Sequence, residues 1–428
     1  MRATPRRMVA SLAAASLLTL AACGGGDGDG DGTAAGTAEV EVFTWWAEGS
    51  EKEGLDALVK VFEQQNQDFD FVNGAVAGGA GSDAKNVLAS RLQTNDPPAT
   101  FQAHAGAELT DYITQGQIEG LSDMYDEKGW NELFPEGLLQ RLEQDGEIYS
   151  VPSNIHRANV VWANPAVLEE AGLDPKATYT SLDDWFTALD KVKAKDKIAL
   201  SVATDWTQVH LLETVLLADL GAEAYNGLWD GGTDWSGPEV TAALEDYAKL
   251  MSYTNSDRQS LDWPDATQLV IDGEAAFNVM GDWAEAAFAT QDKKFDTDYV
   301  TFPVPGTDGV FDFLADSFTM PVGGPNPQGT EAWLDTVASA EGQEAFNKAK
   351  GSIPANIEAN TEDFGPYQQT AIESWTNDEI VSSLAHGAAA SVSWLTDVTA
   401  AVSKFGSNKD VGELQEGLAA AAEKHASE

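Results

Sequence analysis

The chain of 428 residues contains one cysteine, so it has no intrachain disulfide and its folded part must be stabilised by packing. That excludes the small disulfide-stapled scaffolds, and the length is ample for two or three domains with a substantial core. Close pairs of metal ligands are also missing. Five histidines (His104, His156, His210, His386, His425) form no HxxxH, and no CxxC occurs, so neither a metal nor another cofactor is expected. The glycine-rich stretch 76–85 lacks both the Lys-Ser/Thr ending of a P-loop and the spacing of a dinucleotide fingerprint. No GxSxG elbow is present, which leaves a hydrolase of that type unsupported. Positive charge is scarce: 24 Lys and Arg stand against 70 Asp and Glu, a formal charge of -46. Such a surface repels nucleic acid and anionic lipid headgroups. The acids are spread along helical segments, which reads as solubility rather than as a dedicated acidic tail.

Long hydrophobic runs are absent too. The most apolar stretch, residues 8–20, is too short to span a bilayer. It follows Arg2, Arg6 and Arg7 and ends at Leu20-Ala21-Ala22-Cys23, the anatomy of an export signal with small residues before the cut. The segment resembles a bacterial lipoprotein signal. That resemblance implies a signal peptide over residues 1–22, lipid attachment at Cys23 and a mature chain tethered outside the cytoplasmic membrane. Residues 24–38, made of Gly, Asp, Thr and Ala, cannot bury enough apolar surface to fold and read as a flexible linker, 23–38 with its anchor.

From Glu39 the pattern changes. Val40, Val42 and Phe43 lead into Trp45-Trp46 as a strand, and Leu55, Leu58, Val59 and Phe62 mark one face of a helix opening at Ser50. A strand near 69–72, a glycine-rich turn, a helix near 83–92, a Pro97-Pro98 break and a strand at 100–104 continue the alternation. This predicts an α/β architecture with a parallel sheet covered by helices. From Asp184 onward long helical patterns dominate, as expected of a second, more helical lobe. Residues 146–154 and 313–321 are short apolar runs ending near proline that read as lobe crossings, with a third near 350–354. The first lobe is accordingly expected over 39–150 plus 317–353 and the second over 151–316 plus 354–428.

The conspicuous residue is tryptophan, thirteen in all. Trp45 and Trp46 precede Glu51, and Trp206, Trp263 and Trp283 each follow an aspartate. Indole faces cover the apolar side of a sugar ring while carboxylates and amides bond its hydroxyl edge. Trp229, Trp333, Trp375 and Trp394 read instead as core. Glu51 in the first turn of a helix is favoured by the helix dipole alone, yet the carboxyl end of a parallel strand is also where ligands sit. Gln102 and His104, two apart on a strand, point to the same side of it.

The run Phe43-Thr44-Trp45-Trp46 with Glu51, the segment 75–79, NDPPA at 95–99, Gln102-x-His104, VPSNIHR at 151–157, Gly281-Asp282-Trp283, Asp316-Ser317-Phe318, KGSIP at 350–354 and Ala385-His386-Gly387 together resemble the sugar-binding lipoproteins of ABC importers. Within them the glucose/mannose-binding branch is most similar. The resemblance implies a two-lobe periplasmic-binding-protein-like fold with hinge crossings and a ligand cleft between lobes. It further implies that Trp46 stacks on a pyranose, that Glu51, Gln102, His104, Asp316, Lys350 and His386 bond its hydroxyls, and that Trp263 and Trp283 wall the site. Trp45 and Trp206 match motif positions beside them, and His156 and Arg157 belong to the contact or to the hinge. Trp162-Ala163-Asn164 and the stretch 203–206 depart from the family's usual pattern, which bears on sugar identity.

The function expected is thus a non-enzymatic, extracytoplasmic, lipid-anchored and monomeric substrate-binding component of an ABC sugar importer. Its partners would be a monosaccharide such as glucose or mannose, the permease subunits and, through the anchor, the membrane, with no nucleic acid. A secreted carbohydrate-active hydrolase is the alternative, because Glu51, Asp282 and Asp316 supply carboxylates that could flank a glycosidic bond. An adhesion lipoprotein would show repeats or a large apolar patch, and the sequence shows no repeat.

Overall fold

Two separate sheets, each fed by alternating strand and helix, divide the chain into an α/β fold of two lobes. A computed structural model describes residues 38–78 and 81–425. The expected signal peptide, Cys23 and most of the linker lie outside the described residues, as do Gly79 and Ala80 of the glycine-rich turn. Among the described residues no helix is long and apolar enough to cross a membrane.

The first sheet runs in the order Asp70–Asn73, Glu39–Phe43, Thr100–His104, Asp316–Thr319, Ser150–Pro152. Its first three strands are parallel, as the strand–helix alternation predicts. The other two join antiparallel, Asp316 opposite His104 and Ser317 opposite Pro152. The sheet is therefore mixed rather than wholly parallel. Asp316–Thr319 returns from the other lobe and enters the sheet from the end at which the parallel strands leave it, so no crossover helix reverses its direction.

The second sheet is ordered Val300–Pro303, Val160–Ala163, Ala275–Val279, Ile198–Ser201. A third, small sheet of Glu379–Ser382, Val310–Leu314 and His156–Arg157 lies where the chain passes between the first two. Successive segments 150–152, 156–157 and 160–163 visit first, third and second sheet in turn, and 310–314 runs straight into 316–319. The third passage is tied to the first by mutual backbone bonds between Ile155 and Ile353, 2.8 and 3.1 Å. Three adjacent passages make a hinge about which the lobes can rotate.

Helix Gly49–Gln65 shows how sequence positions the site. It buries Leu55, Leu58, Val61 and Phe62, a single stripe at helical spacing. That stripe packs on helix Ala340–Lys350, and Gly54 sits so close that a Cβ there would lie 3.0 Å from Lys350 Cβ and 3.1 Å from Phe346. Only a glycine lets the two helices approach closely enough to bring Glu51 to the end of the Lys350 side chain. Behind them Trp333, fully buried, meets Phe62, Phe71 and Phe318 at 5.4–5.8 Å between ring centroids. In the second lobe, helix Asp205–Asp230 buries nearly all of its first half, including His210 and Glu213.

Candidate ligand-binding chamber

At the end of strand Glu39–Phe43 the chain turns through Thr44, Trp45 and Trp46 and is pinned there by Gln102. The Thr44 hydroxyl donates to Gln102 Oε1, which also accepts from the Trp45 amide at 3.3 Å. Gln102 Nε2 then donates to Asp316 Oδ1 at 2.8 Å across the antiparallel pairing. Asp316 is further held by Asn154, whose Nδ2 donates to Oδ2 at 2.7 Å and whose Oδ1 accepts the Asp316 amide at 2.7 Å. Burial alone would raise this carboxyl. The hydrogen bond to His156 and the charges of Lys350 and His156 outweigh it and hold Asp316 far below the usual carboxylate range. It is a fixed, buried anion.

His104 projects from the same strand as Gln102 and meets Glu108 Oε2 at 2.7 Å through Nδ1. Lys85 Nζ donates to the same oxygen at 2.8 Å and lies 5.3 Å from the Trp45 ring centroid. Burial opposes ionisation of Glu108, but Lys85 and His104 prevail and lower it to about 2. Across the cleft His156 donates through Nδ1 to Asp282, and the Arg157 amide donates to the other Asp282 oxygen at 3.0 Å. Burial would lower His156, and Asp282 raises it above the ordinary histidine value. Lys350 Nζ lies 3.5 Å from Glu51 Oε1 and 5.2 Å from the Trp46 ring centroid. Glu51 is raised, burial outweighing Lys350.

Three tryptophans of the second lobe close the far side. Trp206 begins helix Asp205–Asp230 and Trp263 begins helix Trp263–Ile271, which Asp262 and Asp265 cap reciprocally. Trp283 sits in the turn after Gly281, where a Cβ would fall 2.1 Å from the indole, so the ring lies flat against bare backbone. Trp283 packs edge-on against His386 at 5.0 Å and His156 at 5.3 Å. His386 is carried by the 383–390 loop, which bonds the other lobe through the Glu108 amide to Gly387 oxygen at 2.8 Å.

Trp45, Glu51, His104 and Asp316 converge with Trp206, Trp263 and Trp283 on one chamber, which Lys350, His156, Leu314 and His386 complete. Two expected contacts stand elsewhere. Trp46 is fully buried between Phe346 and Phe318, beneath Lys350 rather than on the chamber. Gln102 lies behind Asp316 and orients it. Arg157 faces away, bonding Asn159, Ser374 and the Val310 carbonyl. Not singled out as contacts from the sequence were Glu108, four residues after His104, Asn154, although it lies within the 151–157 motif, and Lys85, which carries no signal.

The chamber has about 20 Å³ of room, enough for about one water. About 290 Å³ opens beyond Trp45 and Trp263, and about 900 Å³ beyond Trp206. The histidines, Asp316 and Lys350 line only the small space, while Trp45, Glu51 and Trp263 are shared with the space of about 290 Å³ that continues from it. A ring-sized ligand therefore enters only when the lobes part. Among the described residues one triad, His210, Glu213 and His386, brings possible metal-ligand atoms within 4.8 Å of one another. Its carboxyl group already bonds Ser383 and accepts the Ala385 amide, and His210 Nε2 donates to the Ala158 carbonyl, so the triad is a hydrogen-bond network.

Two lobes on a hinge of three passages, with aromatic walls and a buried polar set from both sides, define a two-lobed binding protein. Residues 47–344 match the family model of the bacterial extracellular solute-binding proteins, and the chain belongs to that family. It is 34% identical over 377 residues to an uncharacterized ABC transporter extracellular-binding protein of Pyrococcus horikoshii, covering 87% of this chain and 85% of that one. It is 30% identical over 357 residues to a probable sugar-binding periplasmic protein of Rhizobium meliloti, covering 81% and 84%. Among solved structures, a bacterial solute receptor described as having an exclusive preference for β-D-galactopyranose superposes with a TM-score of 0.78 at 15% identity, over 90% of this chain and 98% of that chain. That likeness establishes the fold.

Proposed function

We propose that this chain is the extracytoplasmic sugar-binding component of an ABC importer, which closes its lobes around a monosaccharide such as glucose or mannose and delivers it to the permease. The observation that carries this reading is the chamber itself. Trp45, Trp206, Trp263 and Trp283 offer apolar faces, Asp316 a permanent acceptor, and Lys350 and the histidines donors, all in one water-poor space. The names of the relatives point the same way. Included are the lobe division at 39–150 plus 317–353 and 151–316 plus 354–428, moved by one or two residues so that Val151, Pro152 and Asp316 go with the first sheet that pairs them, monomeric action and a lipid anchor at Cys23, where each buried methylene contributes about 0.8 kcal/mol.

Closure follows from differential contact. His104 and Asp316 are held by the first sheet while Trp263 and Trp283 stand on the second lobe, so a sugar touches both sets only in the closed state and shifts the population toward it. Tryptophan fluorescence of residues 24–428, titrated with glucose, mannose, galactose, xylose and maltose, tests the proposal. Saturable quenching or enhancement by one sugar is expected. A flat response to all five would overturn the monosaccharide reading.

One observation favours a second reading, a glycoside hydrolase: Glu51 is raised while Asp316 is lowered, the division of labour such enzymes use. Against it, Gln102 and Asn154 each take one lone pair of an Asp316 oxygen and fix the carboxylate, which leaves it able to accept a further hydrogen bond but not to swing onto a carbon as a nucleophile. Turnover of nitrophenyl glycosides that disappears in Glu51→Gln would establish hydrolysis.

A further inference from the structure

Behind the chamber lies a buried chain of hydrogen bonds that sugar contact does not itself require. Glu213, fully buried on helix Asp205–Asp230, accepts the Ala385 amide at 2.8 Å through Oε2. Both its oxygens lie 3.0 Å from Ser383 Oγ. The same hydroxyl is 2.8 Å from His386 Nδ1, and the other ring nitrogen, Nε2, has no protein partner. His386 is 3% exposed and lines the chamber, so Nε2 is the atom left for a ligand.

The donors in this chain are not independent, because the serine has one proton to give. When Glu213 is a neutral acid, Oε2 serves as the carbonyl oxygen for Ala385 and the Oε1 hydroxyl donates to Ser383. Ser383 then donates to His386 Nδ1, and the ring proton must sit on Nε2. When Glu213 is a carboxylate, Ser383 donates to it and accepts from Nδ1–H, which leaves Nε2 as a bare acceptor. We infer that Glu213 is a positioning residue whose proton, relayed through Ser383, decides whether His386 presents a hydrogen-bond donor or an acceptor to the ligand chamber. This rests on the reading of the chamber as the ligand site.

The surroundings keep the relay a tautomer switch rather than a charge switch. Burial, then the neighbouring His210, His104, His156 and Lys85, lower His386 well below the usual histidine value, so the ring stays neutral. His210 is lowered by burial to about 4 and is neutral as well. Burial raises Glu213 to about 8. Facing it from strand Val310–Leu314 is Asp312, raised by burial and by Glu213, with Arg157 as the nearby cation. Tyr225, on the same helix as Glu213, is raised well above its ordinary value and remains a neutral phenol. Near neutral pH Glu213 therefore holds its proton, and His386 offers Nε2–H.

The test reads the tautomer directly and needs no sugar. Full-length protein labelled with ¹⁵N-histidine is titrated from mildly acidic to alkaline pH by NMR. In the wild type the pyrrole-like nitrogen of His386 is expected to be Nε2 below about pH 8 and Nδ1 above it, with the ring uncharged throughout. Glu213→Gln, whose oxygen is held by the Ala385 amide so that its NH₂ faces and donates to Ser383, should keep Nε2–H at every pH, and Ser383→Ala should uncouple the ring from Glu213. D-glucose titrations over the same range should show affinity changing by about two- to tenfold across the transition in wild type alone, the weight of one net hydrogen bond. A His386 tautomer that stays constant with pH in the wild type, or that still switches in folded Glu213→Gln, would overturn the relay. Failure of glucose to bind would count against the functional reading and leave the tautomer titration, which contains no sugar, to decide the relay.

Discussion

Replacing Asp316 with asparagine changes one atom and one charge at the centre of the polar set. The carboxylate is 3% exposed and accepts from Gln102 at 2.8 Å and Asn154 at 2.7 Å, each donor an amide NH₂ that has no better partner. Asparagine keeps one oxygen for one of them and turns an NH₂ toward the other, so a donor faces a donor. His156 and Lys350 also lose the anion that stabilises them. Losing one member of a buried charged network costs about 3–5 kcal/mol. With an unfolding entropy of about 2.1 cal/mol/K per residue, that lowers Tm by only a few degrees in a protein of this size. Sugar binding should suffer more conspicuously. A hydrogen bond to a charged group is worth about 1.5–3 kcal/mol, so affinity should fall by roughly 10- to 150-fold. Calorimetric titration together with thermal unfolding separates the two effects. Affinity within about twofold of the wild type in a folded Asp316→Asn protein would refute the assignment of Asp316 as an anchoring acceptor.

Other consequences can be checked with less. Trp46→Ala removes a fully buried core indole and should cost about 3–5 kcal/mol of stability, whereas Trp45→Ala, at the chamber wall, should weaken ligand binding with a smaller loss of Tm. Gly54→Val forces the helices of Glu51 and Lys350 apart and should cost about 1–3 kcal/mol or more, seen in denaturant midpoints. Stability should fall as pH rises from about 6.5 toward 8; between about 4.5 and 6.5 the lowered His210 and His386 offset the Glu213 contribution. Glu213 binds its proton more tightly folded than unfolded, so the folded state loses that advantage over this window, and Glu213→Gln should flatten the decline in Tm. Toward acid the signs reverse. The depressed Glu108 and Asp316 contribute stability above the unfolded value near 4 that is lost below it, and His210, lowered to about 4, costs stability once unfolded histidine protonates below about 6.5.

Local pattern made the first lobe readable. Strand alternation at 39–43, the helical stripe through Leu55 and Phe62, and the Gln102–His104 pairing all appear where short-range periodicity places them. The tryptophans beside aspartates also gather at one site, because a turn at the end of a strand or the start of a helix fixes both residues toward the cleft. The choice between Trp45 and Trp46 was not legible. At a strand end one neighbour points to the core and the other to the opening, and the difference depends on Phe346, three hundred residues away. Nor was the antiparallel entry of Asp316–Thr319, which depends on a pairing partner remote in sequence. Glu213 and Asp312 gave no signal for the same reason: each is a lone acid in an apolar run whose partner is supplied by another element.

A sugar held in the chamber between the lobes must touch Trp283. The most direct measurement is isothermal titration calorimetry of glucose, mannose, galactose and xylose into the wild type, Trp283→Ala and Trp229→Ala. One-to-one binding of at least one sugar is expected, abolished or weakened more than tenfold by loss of Trp283 at the chamber and unaffected by loss of Trp229 outside it. Binding that survives unchanged in a folded Trp283→Ala protein, or no binding of any of the four sugars, would contradict it.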